Sequence, residues 1–293
     1  MTAVVGLPQT TTRRTEDGVA IDASHDPAAS GRRDLAIVVA HGFTGSWRRP
    51  AVRRVAALLS GSPVPERALS GQRGTDRTYG TDSTFGTDRT IDPEIGGVVS
   101  FDFRGHGRSG GVSTVGDLEV FDLQAMVAWA RELGYARVAT LGSSMGASVV
   151  VRHAGLYGRL DGGIAAVVAV SGPARWYYRG TPAMRRTHWV IERPVGRLVS
   201  RVALRTRISP AGWDPVPAPP HELAARIAPT PLLVVHGDAD HYFPVEHGEQ
   251  LFAAAREPKE LWIETGFGHA ENAAPDELLR RIGGWLASAA RPR

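Results

Sequence analysis

Cysteine is absent from the 293 residues, and lysine occurs once, at Lys259. With no thiol there is no disulfide, no thiolate metal site and no cysteine nucleophile. The other 33 of the 34 basic residues are arginine, a bias that a GC-rich coding sequence produces without any functional demand. The formal charge of +4 and the pI of 9.8 come with no recognition motif and no aromatic-spaced basic platform, so no nucleic-acid partner is expected. No apolar run approaches the roughly 18 residues of a spanning helix. Residues 1–15 lack a basic segment followed by an apolar core, so no secretory signal is expected and a cytoplasmic location is the default. The ten histidines include no His-x-x-x-His pair, and neither a metal nor a cofactor is expected.

What is present is enough apolar material, 42% of the chain, for a substantial core in one domain spanning 1–293. Residues 35–40 (LAIVVA) are an unbroken apolar run of strand length, as suits a parallel strand covered on both faces. Further strands are predicted at 98–102, 138–142, 165–170, 232–236 and 260–264, with an N-terminal β segment within 16–26. Helical spacing marks 117–133, 145–157, 245–256 and 275–289, and Thr114 and Asp117 are spaced as a capping pair for the first of these. Strands alternating with helices imply an α/β class: a doubly wound, mostly parallel sheet.

Two stretches break the alternation. Residues 61–96 are polar and Gly-rich and contain a hexapeptide repeated three times, beginning at Gly74, Gly80 and Gly86. Three short polar units cannot build a core of their own, so this reads as a disordered, low-complexity surface insertion. Residues 172–220 hold Trp176, Tyr177, Tyr178 and Trp189, and nine arginines between 175 and 207 against one acid, Glu192. Lying between two core strands, this segment is expected to cover the C-terminal edge of the sheet as a short helical lid. These four aromatics are candidates for the wall of an apolar substrate pocket. Its arginines leave open a peripheral contact with an anionic lipid surface, although arginine bias and a packed aromatic lid explain the same composition.

The chemistry centres on Gly142-Ser143-Ser144-Met145-Gly146, between the strand pattern at 138–142 and the helix pattern from 145. A sharp strand-to-helix turn exposes one serine in a strained conformation, needs very small residues two positions to either side, and aims a helix N-terminus at the developing oxyanion. A second Gly-x-Ser-x-Gly, at Gly107–Gly111 around Ser109, leads into a loop and reads as a turn. Serine needs a base, an orienting acid and oxyanion donors. Downstream, Asp238, Asp240 and His241 follow the strand pattern ending at His236, and His269 follows the one ending near Ile263. Both groups sit just past strand C-termini, the edge to which the elbow also points.

Taken with His41-Gly42-Phe43 and Asp102-Phe103-Arg104-Gly105-His106-Gly107-Arg108-Ser109, these motifs resemble the α/β-hydrolase fold superfamily, in particular small bacterial serine esterase, lipase and serine-aminopeptidase-like members. The resemblance spans residues 35–287 without the repeat insertion. It implies a Ser144–Asp240–His269 triad, because the family's acid lies three residues after the glycine at 237 and four before the proline at 244. It also implies the Phe43 and Met145 amides as oxyanion donors. His41, Asp102, Arg104 and His106 read as structural, with an Asp–Arg pair holding the turn. His153, His188, His221 and His247 read as helix or surface histidines.

The expected function is hydrolysis of a small-molecule carboxylic ester through an acyl-enzyme. Amide, peptide, thioester and carbon–carbon bond hydrolysis use the same machinery and stay open, as does a non-catalytic ligand-binding role on the same scaffold. The natural substrate, the acyl length and the oligomeric state are not legible.

Overall fold

The computed structural model describes residues 8–62, 95–160 and 162–291. The repeat at 74–91 and most of the 61–96 insertion lie outside the described residues. Eight strands form one sheet: β1 (Gln9–Arg14), β2 (Ala20–Pro27), β3 (Leu35–Ala40), β4 (Ile95–Phe101), β5 (Arg137–Ser143), β6 (Val167–Val170), β7 (Leu232–Gly237) and β8 (Lys259–Glu264). Their order is β1-β2-β4-β3-β5-β6-β7-β8. β2 runs antiparallel to β1 and β4, and β4, β3 and β5–β8 are parallel.

The helices are α1 (Pro50–Ser60), α2 (Glu119–Glu132), α3 (Met145–Tyr157), α4 (Pro182–Glu192), α5 (Pro194–Ala203), α6 (Pro220–Ala224), α7 (Glu246–Ala254), α8 (Ala270–Ala273) and α9 (Asp276–Ala289). Successive side chains of β3 point to opposite faces. Ala36, Val38 and Ala40 join α2 and α3 in one apolar layer, with Leu123, Met126, Val149 and Val150. Leu35, Ile37 and Val39 join α1 and α9 in the other, with Val55, Leu59, Leu278 and Ile282. Two covered faces explain why this strand reads as a continuous apolar run. Among the described residues no helix is long and apolar enough to cross a membrane.

Three local expectations are corrected. The N-terminal β segment is two strands, and β1 (QTTTRR) lies at the exposed edge, where no apolar alternation marks it. Helix α2 begins at Glu119, not at 117, because the chain turns through positive φ at Val115 (58°) and Gly116 (106°). Of the Thr114–Asp117 pair, Thr114 does cap, its hydroxyl accepting from Leu118 N (2.8 Å), but the acid is Glu119: its buried carboxylate accepts from the amides of Thr114 (2.8 Å), Val115 (3.2 Å) and Gly116 (2.9 Å), while Asp117 pairs with Arg152 at 3.2 Å. Arg104 does not pair with Asp102. It bonds Asp122 and, bidentately, Asp17 at 2.7 and 3.0 Å.

The segment between β6 and α6 carries the contacting helices α4 and α5, separated at Arg193-Pro194. Its return strand is fastened to the loop after β4. Arg207 N donates to Gly105 O (2.7 Å), Ser113 N to Arg207 O (2.7 Å), Ser209 N to Ser113 O (2.8 Å) and Gly107 N to Arg205 O (3.2 Å).

Candidate active site

β5 stops at Ser143 and α3 starts at Met145, so a single residue turns the chain. That residue, Ser144, sits at φ 55° and ψ −117°, a region L-residues rarely occupy. The turn closes because residues 142 and 146 have no side chains. A Cβ on Gly142 would overlap the Gly146 carbonyl, and one on Gly146 would overlap the Ala40 carbonyl. The strain points the Ser144 hydroxyl out over the C-terminal edge of the sheet.

His269 meets it there. Its Nε2 lies 2.9 Å from Ser144 Oγ, and its Nδ1 lies 2.8 Å from Asp240 Oδ2. The other carboxylate oxygen, Oδ1, accepts from the amides of Tyr242 (2.8 Å) and Phe243 (3.1 Å). Burial by itself would raise the Asp240 carboxyl. The hydrogen bond to His269 and that ring's charge, with the two amides, outweigh it and hold the group below the usual carboxylate range. Beside the acid, buried His236 bonds through Nε2 to Phe243 O (3.0 Å), and burial lowers the ring's pKa. The Tyr242 ring lies against His269, centroids 4.3 Å apart at 31°.

The neighbouring candidates separate cleanly. Asp238 Oδ1 accepts from Gly266 N at 2.6 Å, closing its loop away from His269. His241 lines the cavity, its ring 6.4 Å from that of His269. Ser109 is buried, accepting from Asp22 N (2.9 Å) and donating to Asp102 O.

A cavity of about 900 Å³ opens above Ser144, bounded by Gly42, Phe43, Met145 and, from α4, Met184, Val190 and Ile191. Gly42 is close enough that a Cβ there would sit 3.2 Å from Ser144 Cβ. Among the described residues neither Phe43 N nor Met145 N donates a hydrogen bond within the chain. His41 holds this loop. Its Nδ1 donates to Gly42 O (2.7 Å), its Nε2 accepts from Phe103 N (3.1 Å), and burial, with His106 nearby, pushes the ring down to about 3. Asp102 braces the same loop by accepting from Ser46 Oγ (2.6 Å) and Trp47 N (2.8 Å).

Trp176, Tyr177 and Tyr178 line the cavity, and so does Trp213, which the sequence pattern did not single out. Trp189 does not; it is 47% exposed on the lid. His153 and His247 lie on helices α3 and α7, as expected, with both side chains buried. Glu271, two residues after His269, is a further residue missed from sequence. It is buried, it lines the cavity, its Oε1 accepts weakly from Gly42 N (3.5 Å), and its Oε2 has no partner among the described residues.

The architecture and these elements fit a known family. Residues 96–211 match the model described as serine aminopeptidase, S33. The esterase Pf2001 of Pyrococcus furiosus superposes with a TM-score of 0.65 at 23% identity, covering 96% of this chain and 92% of that one. The α/β hydrolase GrgF of Penicillium sp. sh18 gives 0.67 at 18% identity, covering 96% and 98%. The chain has the α/β-hydrolase fold. It also matches the uncharacterized protein YfhR of Escherichia coli (strain K12), at 51% identity over 37 residues, which is 13% of either chain.

Proposed function

We propose that this α/β hydrolase cleaves carboxylic esters through an acyl-enzyme formed on Ser144. The observation that carries the reading is the unbroken relay of 2.9 Å from Ser144 Oγ to His269 Nε2 and 2.8 Å from His269 Nδ1 to Asp240, built on a strained elbow. His269 Nε2 takes the hydroxyl proton as Oγ attacks the ester carbonyl carbon. Asp240 fixes the tautomer and stabilises the imidazolium. The oxyanion is received by the Phe43 and Met145 amides, with the N-terminus of α3 adding its partial positive charge. His269 then returns the proton to the departing alkoxide, and water repeats the sequence to release the acid. The aromatic wall above the serine suits an apolar acyl group.

A second reading, release of the N-terminal residue of a short peptide, draws on the description of the matching family model. It is favoured by the Glu271 carboxylate, which lines the cavity with one oxygen unbonded and would receive an ammonium group. One experiment ranks the two readings. The protein is labelled with a fluorophosphonate and assayed on acyl p-nitrophenyl esters of rising length and on aminoacyl p-nitroanilides. Labelling that disappears in Ser144→Ala, with turnover of esters but not anilides, supports the first. Turnover of anilides that is lost in Glu271→Gln supports the second. Labelling that survives in Ser144→Ala overturns both.

A further inference from the structure

Helix α5 is turned the wrong way for an ordinary surface helix. Val195, Leu198, Val199 and Val202 fall at i, i+3, i+4 and i+7, so they form one stripe. That stripe faces solvent: the four are 62%, 59%, 44% and 73% exposed. The opposite side, with Gly196 and Ser200, is the buried one. Ser200 also accepts from Thr206 N at 3.0 Å through its carbonyl, which ties the helix to the fastened return strand.

The charge around the stripe has one sign. Residues 175–207 contain nine arginines and one acid, and that acid, Glu192, already binds Arg179 and His188. At the C-terminal end of α5, Arg201, Arg205 and Arg207 wall an open pocket of about 360 Å³ with Gly107. Arg207 is held by the carbonyls of Gly111 (3.1 Å) and Ser109. The guanidinium groups of Arg201 and Arg205 have no hydrogen bond or ion pair among the described residues.

We propose that this face of the lid binds the surface of an anionic phospholipid bilayer. The apolar stripe enters the headgroup–acyl boundary, and the three-arginine pocket takes a headgroup phosphate. The inference stands apart from the ester-hydrolysis reading, since neither the four stripe residues nor Arg201, Arg205 and Arg207 line the cavity above Ser144. Charge selects the occupant. A second copy packed about a two-fold axis would set two arginine-rich faces against each other. A nucleic acid would satisfy the arginines and leave the stripe in water. An anionic bilayer answers both at once.

The test is co-sedimentation of the full-length protein with vesicles of phosphatidylcholine alone or mixed with phosphatidylglycerol, at low and at high salt. Binding to the mixed vesicles should exceed binding to phosphatidylcholine by roughly tenfold or more, and should fall with salt. Leu198→Gln/Val202→Gln and Arg201→Gln/Arg205→Gln should each reduce it by about tenfold or more, with thermal midpoints unchanged. Arg201→Lys/Arg205→Lys, which keeps the charge, should retain most of it. The wild-type comparison needs no variant, so a misfolded mutant does not blunt the test. Absence of binding to mixed vesicles, or equal binding to both kinds, overturns the proposal. So does protection of the arginine pocket by inorganic phosphate without vesicle binding, or a dimer in solution that Leu198→Gln/Val202→Gln dissolves.

Discussion

Two carboxylates stand two residues apart in one loop, and their partners tell them apart. Asp240 faces His269, while Asp238 faces the amide of Gly266. Under the proposed mechanism, Asp240→Asn removes the charge that stabilises the imidazolium and should lower kcat/KM on a soluble ester by about 10³–10⁴. Asp238→Asn should change it by less than about tenfold, because it disturbs only a loop hydrogen bond. Steady-state rates for the two variants check this, and equal losses would refute the assignment. The candidate triad was legible in the sequence because each member sits just past an apolar strand run, where the order Ser, Asp, His can be read along the chain. The partners of other residues were not legible. Glu271 meets Gly42 across 229 positions, and Arg104 meets Asp17 across 87, so no local spacing signals either contact.

At the scale of elements, the parallel strands and their helices were legible because each carries its own periodicity. The edge strand β1 was not, since its half-buried face carries Thr11 and Arg13 and so has no apolar pattern to show. Helix α1 was passed over although Val52, Val55, Ala56 and Leu59 have helical spacing; its interleaved arginines hide the stripe. The lid shows a different limit. Composition shows that it is aromatic, but only the path of the chain decides which rings face inward. Trp176 and Tyr178 line the cavity and Trp189 does not. Trp176 is fixed by Nε1–H donation to Pro217 O (2.8 Å) and by packing on Trp213, centroids 5.0 Å apart. Removing either of these two indoles should therefore widen the acyl site. Trp176→Ala and Trp213→Ala should shift the preferred p-nitrophenyl ester by at least about one methylene pair, a change of roughly tenfold in relative kcat/KM. Trp189→Ala should leave the chain-length profile as it is. A uniform loss on all chain lengths would make the two indoles packing groups only.

Over the whole molecule, buried neutral histidines tie stability to pH. Burial, helped by the nearby Arg33 charge, pushes His25 down to about 4. Burial, helped by Arg131, pushes His153 to about 3, and burial, helped by Arg175, pushes His247 to about 4. In the unfolded chain a histidine takes its proton near pH 6.5. Between that value and the folded values the unfolded state binds more protons, so stability is full above about pH 6.5 and falls as the pH drops towards 4. By about pH 5 each of the three should have cost roughly 2 kcal/mol. Urea midpoints measured from about pH 7 to pH 5 should fall steeply, and His153→Gln should flatten the slope. A midpoint independent of pH over that range would refute the linkage.

The fastened return of the lid has a consequence for where this chain can be cut. A break at the Arg193–Pro194 junction, between α4 and α5, leaves Ser144 on one piece and Asp240 with His269 on the other. The second piece still carries Arg205–Ser209, whose backbone ladder grips residues 105–113 of the first. It also carries β7, whose partner in the sheet is β6 on the first piece. The two halves are thus complementary templates, and co-expressed as residues 1–193 and 194–293 they should reassemble and recover fluorophosphonate labelling that neither half shows alone. Split there, the chain would serve as a two-part reporter, its signal dark until both fragments meet.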